Sequence, residues 1–306
     1  MAFPRAAGYT NLPQGNFTPE IFSQKVLMKF RRVSVVEDIT NTDYSGEIEA
    51  FGDKVNIINE PDITVRTYAR GATLQIEDLE DDETELTVDQ GSYFAFKVDD
   101  IEERQSHVNW ESLATGRGAF KLKDSFDSNI LTAIQAGVQS DNVYGSNASP
   151  TDTGFGAGEV DPANVVARLS RLLDDADVPE DSRWVVAPPI FWEELAQTGS
   201  KFMEVQVTGD SNSPMRDSLN NGRVNDRLIH GFRAYKSNNV PTPSGSNATQ
   251  HVLAGHMSAV TTANNIAKTE MVRSQTSFAD ILRGLHVYGR KVLRADGIAD
   301  AFIKID

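Results

Sequence analysis

SHVNWESLATGRGAFKLKDSFDSNILTAIQAGV, residues Ser106 to Val138, places Leu122, Phe126, Ile130, Ile134 and Val138 at every fourth position, with Leu131 and Ala133 beside them. On a helix that spacing lays down an apolar stripe one face wide. No proline occurs between Pro61 and Pro150, so nothing in the covalent chain breaks a helix here. Asn109 suits the amino-terminal cap and Gly137 the carboxyl end. A helix of about thirty residues runs roughly 45 Å, longer than a small domain is wide. It therefore reads as a strut, with one stripe buried and its ends reaching past a single core. Gly116 and Gly118 lie in its first half, each costing about 1 kcal/mol relative to alanine inside a helix. Either the helix bends at these glycines or it begins only at Ala119; the sequence leaves both open.

Upstream of the strut the hydrophobic period is two. Between Gly52 and Asp100, apolar residues alternate through Val55 and Ile57, Ile63 and Val65, Leu74 and Ile76, Leu86 and Val88, then Phe94, Phe96 and Val98. This predicts a run of strands. Glu77 to Glu85 interrupts it with seven acids in nine residues and no base. Too few apolar residues surround the run for a private core, which points to an arm that rests on another subunit. The acids lack the alternating ligands and turning glycine of an EF-hand loop, so a solvated or base-paired charge run is the better reading. Residues 1–16 read as an extended arm. Thr18-Pro19-Glu20 opens a helix whose stripe is Phe22, Val26 and Phe30 and whose basic face carries Lys25, Lys29, Arg31 and Arg32.

Downstream, Tyr144–Gly158 is a boundary-like loop. No strand is predicted before its Gly154-Phe155-Gly156-Ala157-Gly158, which lacks the Lys-Ser/Thr ending of a phosphate loop. Asp161-Pro162 starts a helix through Val165, Val166, Leu169, Leu172 and Leu173. A strand over Arg183–Ala187, a short helix from Pro189 to Leu195, a polar loop over 200–226, and short strands at Gly231–Lys236 and His251–Ala254 give this part α/β character. Alternation returns at Ile266–Val272. Leu285–Leu293 and Ile298–Ile305 follow as strands joined through Asp296-Gly297.

The chain has 306 residues and a formal charge of −15, from 29 Lys and Arg against 44 Asp and Glu. Binding to a nucleic-acid backbone needs a basic surface, so general affinity for DNA is disfavoured. No apolar run approaches the roughly eighteen residues of a membrane helix. Without cysteine there is neither a disulfide nor a thiol nucleophile. No Gly-x-Ser-x-Gly elbow occurs, and no carboxylate pair has a context diagnostic of acid–base work. His251 and His256, five apart, are poorly placed to share a metal and read as ordinary surface or core histidines. No catalytic, cofactor-binding or metal residue is assigned, and no cofactor is implied.

The order of elements is a basic amino-terminal helix, a long strand excursion, a long helix, an α/β insertion and closing strands. It resembles the major capsid proteins of tailed bacteriophages, the Hong Kong 97-type coat fold of the α+β class. Gly52-Asp53-Lys54-Val55, Phe96-Lys97-Val98-Asp99-Asp100-Ile101 with Gln105-Ser106, Gly231-Phe232 with Ser237-Asn238-Asn239-Val240-Pro241, and Phe278-Ala279-Asp280 with Tyr288-Gly289-Arg290-Lys291-Val292 are similar to passages of that family. They keep its order and spacing over about residues 17–306.

The resemblance implies an amino-terminal arm (1–43), an extended β loop over the adjacent subunit (44–90), a peripheral domain with the spine helix (91–157 and 263–306), and an α/β axial domain (158–262). It implies self-assembly into pentamers and hexamers of an icosahedral shell that encloses double-stranded DNA without sequence-specific binding. Assembly in the host bacterial cytoplasm and residence in the virion follow. The arm begins almost at Met1, so a separate scaffolding protein is expected, together with a portal and room for a decoration protein. Lys54 is the sole lysine between Asp53 and Phe96 and lies at the loop base, so no lysine–asparagine crosslink is inferred. Arg31 and Arg32 are expected to face Asp81, Asp82 and Glu83 of a neighbour, and Gly116 and Gly118 to permit a bend of the spine. An encapsulin-type nanocompartment shares the fold class, and a soluble α/β enzyme with an unrecognised site is the alternative from a different class.

Overall fold

A computed structural model of the chain describes residues 34–46, 54–58, 63–71, 73, 76, 83–100, 110–197, 228–243 and 249–305. In chain order its elements are α1 (Val36–Ile39), β1 (Lys54–Ile58), β2 (Glu83–Thr87), β3 (Gln90–Asp99), α2 (Trp110–Ala136), β4 (Val143–Tyr144), β5 (Thr151–Thr153), α3 (Pro162–Asp175), β6 (Arg183–Ala187), α4 (Pro189–Leu195), β7 (Leu228–Ile229), β8 (Phe232–Lys236), β9 (Thr249–His256), β10 (Val260–Arg273), β11 (Ala279–Val292) and β12 (Ile298–Ile305).

Three sheets result. β1 and β2 form an antiparallel ribbon; β10, β11 and β3 form an antiparallel sheet in that order; β4, β12, β9, β6, β8 and β7 line up in a seven-stranded sheet, with β5 also on β12. The central strand β6, Arg-Trp-Val-Val-Ala, is buried throughout. A continuous apolar run suits a strand covered on both faces, and its alternation sorts the two faces. Val185 and Ala187 join Val166, Leu169 and Leu173 of α3 and Phe191 and Leu195 of α4 in one core. Trp184 and Val186 join Phe126, Ile130, Leu131 and Ile134 of α2, with Val36 and Ile39 of α1, in the other.

The stripe on α2 serves two sheets at once. Ile130 and Ile134 share a core with Leu253 of β9 and Ile298 of β12. The Phe126 ring meets Tyr288 of β11 edge-on, at 4.9 Å between centroids and 82°, a favoured aromatic geometry. Asn129 donates to the Tyr288 hydroxyl at 2.8 Å. The strut predicted from the sequence thus joins the three-stranded sheet to the seven-stranded one.

Its described extent is shorter than the predicted Ser106–Val138. Residues 106–109 lie outside the described part, and the helix ends at Ala136, where the Gly137 amide donates to the Ala133 carbonyl. A side chain at Gly137 would come within 2.6 Å of Val292, so the glycine lets β11 approach the helix end. The helix runs through Gly116 and Gly118 and does not start at Ala119.

Asp161 caps α3 by accepting from the Ala163 amide at 2.7 Å, with Pro162 in the first turn, as the sequence predicts. Two expectations fail. Residues 63–69 are irregular, not a strand, and pair with no strand among the described residues. β11 and β12 do not form a hairpin through Asp296-Gly297, because β12 instead pairs with β9, from Ile298 against Gly255 to Lys304 against Thr249. The turn at 293–297 carries the chain from one sheet to the other.

Truncating Ile130 to alanine should cost about 2–5 kcal/mol of stability, since it is fully buried between helix and sheet. The same change at Leu122, which is half-buried, should cost clearly less. Urea denaturation of the two variants measures the difference.

Candidate interaction surfaces

The β1–β2 ribbon is held at one end only. Its register runs from Lys54 against Thr87 to Ile58 against Glu83. At the base, Leu86 and Val88 are buried with Ala263 and Val287 in a small cluster of their own. Gly289 makes this possible, because a side chain there would sit 2.7 Å from the Thr87 carbonyl oxygen. Val55 and Ile57 pack on this cluster, and further out the described apolar residues face water. Ile58, Ile63 and Tyr68 are exposed, Val65 is 94% and Ile76 93% exposed. Covering such residues would gain roughly 25 cal/mol per Å² of apolar area removed from water.

Of the residues singled out by sequence, Arg31, Arg32, Asp81 and Asp82 lie outside the described part. Glu83 opens β2 and accepts from the Asn56 side-chain amide at 3.0 Å within the same ribbon, and Lys54 pairs with Glu85 one rung along. Gly116 and Gly118 both lie within α2. Gly118 has a packing role that the sequence did not disclose. A side chain there would come within 2.9 Å of the Phe94 ring, and one at Gly284 within 2.3 Å of the same ring. Phe94 therefore lies between the helix and β11, over two residues that must be small, and it stacks on Phe96 at 6.1 Å.

Two buried polar groups escaped the sequence reading. Asp127, 1% exposed on the apolar face of α2, accepts from the Ser34 hydroxyl at 2.8 Å and from the Val35 amide at 3.3 Å. It thereby fixes the entry of α1 onto the spine. Burial holds its carboxyl above the usual aspartate range, against the pull of these two donors. The second group is a pair. His251 Nδ1 lies 2.8 and 3.0 Å from the two carboxylate oxygens of Asp300, and both residues are buried. Phe302, directly across from His251 in the ladder, covers the imidazole at 4.5 Å. Asp300 also bonds the Gln135 side chain of α2, and burial raises its pKa beyond what these partners recover. His251 is thus a core histidine with a carboxylate partner. The available signal was a lone acid inside an apolar strand (Ile-Ala-Asp-Ala-Phe-Ile) and another inside an apolar helix stripe, since an acid at such a place must find donors.

No protein-family model and no curated protein matches the chain. Solved structures do. A structure titled "Mycobacterium phage Che8" is 28% identical, with a TM-score of 0.75 over 94% of this chain and 97% of that one. The capsid of the cyanophage P-SCSP1u is 17% identical, with a TM-score of 0.68 over 95% and 94% of the two chains. The mature capsid of bacteriophage PhiM1 is also 17% identical, with a TM-score of 0.64 over 94% and 91%. The chain has the phage capsid fold. Coverage of both partners nearly end to end means that this capsid fold includes the ribbon and the α/β part as well as the spine.

Because burial raises Asp127 and Asp300, the folded chain binds these protons more tightly than the unfolded chain. Their contribution to stability is complete below the usual aspartate range and is lost as pH rises through the raised values. Thermal midpoints recorded from about pH 4 to about pH 7 should therefore fall less steeply for Asp300→Asn than for the parent. Parallel curves would remove Asp300 from this account.

Proposed function

We propose that this chain is the major capsid protein of a tailed bacteriophage, many copies of which close into an icosahedral shell around double-stranded DNA. The observation that carries this is the near-complete, two-way match to capsid structures in a chain that leaves Ile58, Val65 and Ile76 exposed at and beyond the ribbon's end. Neighbours titled as phage capsids favour this reading over an encapsulin-type compartment and over a soluble enzyme. The role is structural, and the virion is its site.

In this reading residues 1–43 are the amino-terminal arm and 44–90 the extended loop over an adjacent subunit. Residues 91–157 and 263–306 form the peripheral domain and 158–262 the axial domain, with β12 closing the peripheral segment onto the axial sheet. Pentamers and hexamers hold together through many modest contacts, so each interface needs only moderate area. Arg31 and Arg32 of one copy pair with Asp81, Asp82 and Glu83 of another. Exposed pairs contribute about 0 to 1 kcal/mol each, which sets register more than strength. The glycines at 116 and 118 let the spine bend as the shell changes size. A net charge of −15 suits a container that must not grip its genome. Assembly takes place in the bacterial cytoplasm with a separate scaffolding protein and a portal, and the outer surface can accept a decoration protein.

Electron microscopy of the purified chain should show uniform closed shells, whereas a discrete monomer or dimer would overturn the reading. Changing Arg31 and Arg32 to glutamate should reduce shell yield most at low salt, where unscreened charges act furthest. Normal yield at every ionic strength would exclude the pairing without touching the capsid assignment.

A further inference from the structure

The three-stranded sheet has two edge strands, β10 and β3. β10 is guarded. Its register shifts between Asn264 and Ile266, and Lys268, Glu270 and Arg273 along it form ion pairs. A bulge and a row of charges are common defences of an edge against pairing with another chain. β3 has neither. It pairs with β11 without a shift, from Asp99 against Ala279 to Gln90 against Tyr288. Between Gln90 and Val98 its one charged residue is Lys97, and there is no proline.

The ladder fixes which backbone groups of β3 are unpaired. The Asp100 amide donates to the Phe278 carbonyl at 3.2 Å, so in this antiparallel register the even-numbered residues of β3 bond β11. The N–H and C=O groups of Gly91, Tyr93, Ala95 and Lys97 therefore point to the open side, where no strand pairs with them among the described residues. All four residues are exposed, Tyr93 to 77%. Phe94 and Phe96, whose side chains lie on the opposite face, are only half-buried.

A segment suited to that edge lies between β1 and β2. Ile63-Thr64-Val65-Arg66-Thr67-Tyr68-Ala69 is as long as the stretch 91–97, and five of its seven residues are β-branched or aromatic, the types that favour strands. It is exposed throughout, with Val65 at 94%, and it pairs with no strand among the described residues. Within one copy, then, the segment and the β3 edge are both left open. We infer that residues 63–69 of one copy add as a fourth strand to the β3 edge of a second copy. Main-chain hydrogen bonds supply the attraction, and Ile63 and Val65 set beside Phe94 and Phe96 fix the register. Resting on the capsid reading, in which many copies lie side by side, this contact names the surface that receives the extended loop and how it is held.

Amide hydrogen exchange, compared residue by residue between unassembled subunits and purified shells of the full chain, tests this. The amides of Tyr93, Ala95 and Lys97 should exchange about tenfold or more slowly in shells, as should alternate amides within 63–69, while those of Phe94 and Phe96 are protected in both states. Shells in which Tyr93, Ala95 and Lys97 stay unprotected, or gain protection without residues 63–69, overturn the added strand and leave the capsid reading intact. Absence of shells overturns both. Ala95→Pro removes an N–H that faces the open edge and no bond to β11, a place where a strand accepts proline. It should therefore fold as the parent does and lose most of the shell yield, and Val65→Pro should do the same. A folded Ala95→Pro that assembles at the parent's yield refutes the contact. Should Ala95→Pro fail to fold, the exchange profile of the parent decides.

Discussion

One helix face has to satisfy two sheets. Phe126, Ile130 and Ile134 project from α2 into a core shared with β9 and β12, while Phe126 also meets Tyr288 on β11. Neither sheet could bury that stripe alone, because each offers only part of the required length. The arrangement explains why residues 293–297 carry the chain across and not back, since a hairpin would have left β12 in the three-stranded sheet and uncovered β9. It also explains why glycines gather along the joint. Gly118, Gly137 and Gly284 each sit where a side chain would collide with a neighbouring element. A helix that packs on two surfaces must approach both closely, and small residues set that distance.

The same economy leaves the ribbon without a core. Leu86 and Val88 anchor its base, but an antiparallel pair of strands is marginal in water on its own. Its exposed isoleucines, valine and tyrosine would be a liability in a monomer. In the proposed shell the same residues would become contact surface, and energy withheld from folding one chain would be recovered when the next one binds. A subunit with a stable double-sided sheet and an unfinished ribbon has a reason to stay folded alone and a reason not to stay alone.

Much of this was legible in the sequence where local chemistry and burial agree. Asp161-Pro162 starts α3, Arg183–Ala187 and Ile298–Ile305 are strands, and Pro189–Leu195 is a helix, because cap, breaker and apolar period point the same way in each. Reading failed where a partner distant in sequence decides the outcome. Residues 63–69 alternate like a strand but pair with no strand among the described residues. The packing demand on Gly118 was hidden because the ring of Phe94 that requires it to be small is remote along the chain. The proposed assembly surfaces rest on types of residue alone, basic before the spine and acidic in the loop. A contact between copies leaves no periodic mark within one copy.

The buried acids share a logic that stability alone does not explain. Asp127 fixes the arm to the spine, Asp300 ties β12 to His251 and Gln135, and Glu194 is buried on α4. The first two lie at joints between elements. Burial raises all three pKa values, so each site costs free energy in its charged form, and an apolar residue of similar size would often be at least as stabilising. What an apolar residue lacks is direction. A carboxyl with named donors is satisfied in one register and left unpaired in the neighbouring ones, at about 1–3 kcal/mol for each unmade bond. In a chain whose strut spans two sheets, a one-residue slip at any joint would be multiplied over the length of the helix. The buried acids therefore act as register pins, exchanging some stability for a single way of fitting the parts together.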